Sequence, residues 1–178
     1  MSPFAGRRAL RRLLDRAEIE DVLRRFGRGS DRADLELLKS CYHPDAYEDH
    51  GYYQGNAWEF CEQAVAHADE RHPDGGSHFM SAPSIEFDGD RAWCETYVQA
   101  VMRTTDEQGR LHLTFAGRYL DTFEKRGGAW RIARRVTVCD YAISDRPEAP
   151  DWLKTGEPVL QLGTQNRADP VYRMRDAG

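Results

Sequence analysis

From Ser77 onward the apolar residues of this chain recur at every second position, and that period limits what the second half can fold into. "SHFMSAPSIEFDGDRAWCETYVQAVMRTT" alternates as two strands about an Asp88-Gly89 turn signal. "GRLHLTFAGRYLDTFEKRGGAWRIARRVTVCDYA" gives two more, joined at Gly127-Gly128. Strands joined by such short turns run antiparallel. They bury one face and need a second layer to cover it.

The first third supplies that layer. "DRAEIEDVLRRFGRG" opens with Asp15 and Glu18 at capping-box spacing, and Ala17, Ile19, Val22, Leu23 and Phe26 follow at helical intervals. Gly27 and Gly29 are expected to stop this helix. A short helix is expected from Asp34, ending by His43 because Pro44 disfavours helix before it. "NAWEFCEQAVAHADERH" reads as a third helix capped by Asn56, with Trp58, Cys61 and Val65 on one stripe. Three helices on one face of a curved antiparallel sheet make an α+β fold. We place this domain over residues 1–142. Residues 143–178 are Pro-rich and aperiodic, and read as an arm covering the domain or a neighbouring subunit, since Trp152, Val159, Leu160 and Leu162 need cover.

At 178 residues and net charge −5 the chain has no electrostatic footprint for nucleic acid. "GRRALRRLLDR" is followed at once by acids and reads as the polar face of a helix, not a basic arm. No apolar run approaches the roughly 18 residues of a membrane span, and the N-terminus lacks an apolar signal core. Cys41, Cys61, Cys94 and Cys139 are widely spaced, which suits buried, reduced thiols in a cytoplasmic protein.

"CYHPDAYEDHGYYQG" concentrates ionisable and hydroxyl groups between the second and third helices. Alternation puts Ala46, Glu48 and His50 on one face and Tyr47 and Asp49 on the other. The segment has no HExxH spacing and its alternate residues cannot converge on one ion, so no metal is expected.

Taken in order, helix, "GSDRAD", short helix, "YHPDA", strand, third helix, "SHFMSAPSIEF", hairpin and "GGAWRIARR" resemble the SnoaL-like branch of the nuclear transport factor 2-like superfamily, over roughly residues 10 to 142. The resemblance points to scytalone dehydratase, hexachlorocyclohexane dehydrochlorinase and bile acid 7α-dehydratase. It implies a cone-shaped α+β barrel, a homotrimer (or dimer) and a lyase that needs no cofactor. By the same resemblance Asp31 and His78 match an Asp–His dyad, and Arg135 matches a pocket-lining arginine. His50 falls where scytalone dehydratase has a substrate-polarising tyrosine. Phe26 departs from the pattern, standing where the relatives carry lysine or tyrosine, which leaves one polar contact missing.

The residue types suit proton abstraction from carbon. Histidine is a base near neutral pH, and a carboxylate on its other nitrogen fixes the tautomer and stabilises the imidazolium. Arg135 keeps its proton and acts by charge alone, leaving His50 or a tyrosine as acid. Glu48, Phe26, Tyr97 and Tyr119 are read as substrate-binding. Other readings stay open. Asp31 also stands where it can cap the second helix, His78 where a strand-end histidine is structural, and both tyrosines where they can be core; the dyad is the favoured reading of the first two. Choosing Arg135 over Arg134 rests on the resemblance, and His43, His67, His72 and His112 are read as structural or surface.

The expected function is a lyase acting on a hydrophobic oxygenated ring compound (steroid, polyketide or lignin-derived aromatic) with loss of water or another small group such as formaldehyde. The alternatives are an isomerase or cyclase working through an enolate, and a non-catalytic binding or assembly subunit.

Overall fold

The computed structural model describes residues 3–68, 75–146 and 163–174. Three helices, α1 (Pro3–Asp31), α2 (Leu35–Ser40) and α3 (Ala57–Ala66), pack on one face of a curved, unclosed seven-stranded sheet, giving a cone-like α+β fold. The strands are β1 (Tyr42–Asp49), β2 (Gln54–Asn56), β3 (Gly76–Met80), β4 (Ser84–Asp88), β5 (Arg91–Asp106), β6 (Gly109–Arg126) and β7 (Ala129–Asp145). Their order is β2-β1-β7-β6-β5-β3, with β4 also paired to β5. All pairs are antiparallel except β1 with β7, which are parallel. Gly127 and Gly128 both take positive φ (61° and 87°), as a two-residue hairpin between twisted strands requires.

The expected first long strand is divided in two. Met80 pairs with Val98 and Ser84 with Glu95, so Ser81–Pro83 stand opposite two residues of β5. Pro83 has no N–H to give the ladder, and the Ser81 hydroxyl instead accepts from the Tyr97 amide (3.2 Å).

Helix α1 overturns two expectations. It begins twelve residues before Asp15, so Asp15 and Glu18 are not a capping box. They fasten the β6–β7 hairpin. Asp15 Oδ1 accepts from Lys125 Nζ and Trp130 Nε1 (both 2.8 Å), and Glu18 Oε1 accepts from the Trp130 amide (2.9 Å). The helix also runs straight through Gly27 and Gly29 to Asp31. These glycines permit close approach. A Cβ on Gly27 would lie 2.8 Å from Met80 Cε, and one on Gly29 3.1 Å from the Leu38 backbone nitrogen. Alanine normally favours a helix over glycine by about 1 kcal/mol. At Gly29 the α2 backbone cannot yield, so we expect Gly29→Ala to destabilise by about 1–3 kcal/mol in urea unfolding. Gly27→Ala meets only a flexible methyl and should cost less than Gly29→Ala.

The core lies between the helices and the sheet. Ile19, Val22, Leu23 and Phe26 of α1 supply the i, i+3, i+4, i+7 stripe, against Tyr119, Phe123, Trp130 and Ile132 of the sheet. Asn56 caps α3 through the Trp58 and Glu59 amides, as expected, and α2 is capped by Asp34, which accepts from the Leu37 amide. Cys41, Cys61 and Cys94 are buried thiols, whereas Cys139 is exposed. Among the described residues no helix is long and apolar enough to cross a membrane. Trp152, Val159, Leu160, Leu162 and His72 lie outside the described residues.

Candidate active site

The end of α1 and the start of β3 meet at one carboxylate. Asp31, the last residue of α1, takes the His78 ring Nδ1 at 2.7 Å and the His78 backbone N–H at 3.0 and 3.2 Å. An ionised carboxylate only accepts, so the Nδ1 bears the hydrogen and the lone pair of a neutral ring falls on Nε2. Asp31 does not cap α2; Asp34 does.

His78 and Asp31 line a cavity of about 450 Å³ between the helices and the sheet. Its wall is largely apolar, built by Phe26, Leu38, Phe60, Val65, Met102 and Phe115. His50 lines it too. Its ring stacks on Phe60 (4.7 Å between centroids, 28°), and its Nδ1 contacts Glu48 Oε1 at 2.9 Å and Thr137 Oγ1 at 3.1 Å. The cavity therefore holds two imidazoles, each with a carboxylate behind it. Neither Nε2 has a hydrogen-bond partner among the described residues.

Behind this wall lies a buried charge cluster. Arg135 stands opposite Asp121 on β6 and Glu48 on β1. Its Nε and Nη2 donate to the two Asp121 oxygens at 2.7 and 2.8 Å, and Nη1 lies 3.4 Å from the Tyr42 hydroxyl. Tyr42 in turn donates to Glu48 Oε2 at 2.9 Å. Burial works against the guanidinium charge, but the Asp121 carboxylate more than offsets it and holds Arg135 protonated well above the usual arginine range.

Arg135 is fully buried and does not line the cavity. Its guanidinium is sandwiched between Phe26 and Tyr119, 4.1 and 4.0 Å from the ring centroids. The expectation that Arg135 faces a leaving group is corrected: Phe26 stands in the way. Its bulky ring, where the resemblance led to a missing polar contact, covers the cation instead. Glu48 likewise stands behind His50, fully buried. Arg134, its neighbour, is exposed and lies over the Tyr47 ring at 4.4 Å.

The two tyrosines divide. Tyr119 is buried and lines the cavity, and burial pushes its phenol above the ordinary range, so it stays a neutral donor. Tyr97 is 58 % exposed on the opposite sheet face and is no part of the site. On β5 the even-numbered residues Ala92, Cys94, Thr96, Val98 and Ala100 turn inward. Among the described residues no cluster of three His, Cys, Asp or Glu side chains could hold a metal.

Reading the sequence missed Tyr42, Thr137 and Asp121. Asp121 left a signal: Tyr119, Asp121 and Phe123 share one parity in "YLDTF", so an inward tyrosine and phenylalanine carry the acid inward with them. Thr137 left none, because its partner, His50, lies 87 residues earlier, just past the end of β1.

The fold resembles solved structures at low identity. A hexachlorocyclohexane dehydrochlorinase (LinA) type 2 superposes with a TM-score of 0.70 at 20 % identity, covering 80 % of this chain and 98 % of the other. LinA type 3 from Novosphingobium barchaimii gives 0.67 at 22 % identity, covering 76 % and 93 %. A candidate scytalone dehydratase from Novosphingobium aromaticivorans gives 0.67 at 21 % identity, covering 78 % and 92 %. No curated protein matches the sequence at a significant level. The family model for the SnoaL-like domain matches residues 11–136, most of the chain. This chain belongs to the SnoaL-like domain family.

Proposed function

We propose that the chain is a lyase that needs no cofactor and removes a proton from a hydrophobic, oxygenated ring compound, with loss of water or another small group. The observation that carries this reading is the His78 imidazole, aimed by Asp31 and set in a largely apolar cavity. His78 Nε2 takes the proton from carbon, and the electron pair of that bond forms the new double bond. The leaving hydroxyl departs with its own pair and accepts a proton from His50 or Tyr119 to become water. Asp31 stabilises the imidazolium formed on His78, as Glu48 supports His50. Arg135 acts from beneath Phe26 and Tyr119, where its charge favours negative charge developing above. The volume suits a compound of two or more rings. Steroids, polyketides and lignin-derived aromatics are the classes we favour, the last losing a hydroxymethyl carbon as formaldehyde.

Two bases facing one cavity also favour a second reading, an isomerase that lifts a proton with one imidazole and returns it with the other through an enolate. Mass distinguishes them. With a panel of such compounds, a lyase gives a product lighter by water or formaldehyde; an isomerase gives one of unchanged mass. Binding without turnover across the panel would sink both.

A further inference from the structure

The segment 163–174 is fastened to the helical side of the molecule by charge. Asp169 is buried, accepts from the Thr164 and Val171 amides (2.8 and 3.0 Å) and pairs with Arg32 at 3.2 Å. Tyr172 donates to Asp34 Oδ2 at 2.8 Å, and Arg167 reaches Asp34 Oδ1 at 2.9 Å. Asp34 is the cap of α2, three residues beyond the dyad carboxylate. The fastening brings Gln165 to the cavity wall, beside Gly75 and so three residues before His78.

Gln165 Oε1 is buried and has no hydrogen-bond partner among the described residues. A buried carbonyl in that state is costly, and a ligand that meets it removes the cost. Of the cavity's other polar groups, Asp31 is engaged with His78 and the His50 Nδ1 with Glu48 and Thr137, while the two Nε2 atoms and the Tyr119 hydroxyl are the groups that the proposed reaction uses. A carboxamide offers an acceptor and two donors, and a hydroxyl is the small group that can answer both kinds. Gln165 also lies outside residues 11–136, so its contribution belongs to this chain and not to the family match.

We propose that Gln165 is a substrate-binding residue that reads a second hydroxyl of the ring compound, separate from the group that leaves. This rests on the cavity being the substrate site, as proposed above, and not on which reaction occurs there. The site therefore prefers a ring compound with polar groups at both ends over one with a single hydroxyl.

The test is a fluorescence titration of the full chain with naphthalene-2,6-diol and with 2-naphthol. The wild type should bind the diol about tenfold more tightly, the worth of one well-formed hydrogen bond. Gln165→Leu should abolish that preference and leave 2-naphthol binding unchanged. No preference in the wild type, a preference kept by Gln165→Leu, or an equal loss for both probes in the variant overturns the proposal. No turnover is read, so failure of the lyase reading leaves this outcome untouched.

Discussion

Replacing His78 with alanine lowers kcat/KM by on the order of 10²–10⁴-fold on any compound the protein turns over, the range a positioned general base contributes. Asp31→Asn should fall within the same range, because the amide can present its N–H to Nδ1 and hold the ring in the wrong tautomer. The two losses should not add, since the residues act as a unit. Added imidazole should partly restore His78→Ala, whose vacated space opens onto the cavity, but not Asp31→Asn. Steady-state kinetics of the four combinations checks this. Additive losses, or a His78→Ala variant with wild-type rates, would remove His78 from the chemistry.

The second large effect is on stability. Arg135→Met leaves the carboxylates of Asp121 and Glu48 buried behind Phe26 with no cation between them. Removing one partner of a buried pair costs about 3–5 kcal/mol, and urea unfolding of the variant should show a loss of that size. Asp121→Leu alone should lose a similar amount, by leaving the buried guanidinium with one long hydrogen bond, to Tyr42, and its ring contacts to Phe26 and Tyr119. The double variant Arg135→Met/Asp121→Leu should recover most of the loss, because a well-packed apolar pair replaces the ionic one. Glu48 keeps Tyr42 and His50 as partners in that background. A double variant as unstable as the sum of the singles would show that the pair is not the unit of stability.

What the sequence made legible follows from what its periods encode. Helical and two-residue periods report which face of one element is buried, so the three helices, the hairpin turns and the parity of Glu48 with His50 could be read. Relations between elements are not periodic. Tyr97 and Tyr119 look alike in sequence, yet lie on opposite faces of the sheet, because parity does not carry across a turn. Gly27 and Gly29 carry the letters of a helix stop, but their role is set by Met80 and Leu38, which no local pattern announces. Asp15 and Glu18 have capping-box spacing, and only the arrival of Lys125 and Trp130 from over a hundred residues away gives them their use. The pairing of Asp31 with His78 could be placed by resemblance, whereas the burial of Arg135 under Phe26 could not.

One carboxylate holds both the ring and the main chain of His78, and this ties reactivity to architecture. The main-chain clamp fixes where His78 leaves the sheet relative to Asp31, so a ring that rotates away has its carboxylate waiting at the same place. Moving that carboxylate away from His78 requires the terminal turn of α1 to part from the edge of the sheet. Gradual fraying there during heating would silence the protein before the rest of it melts.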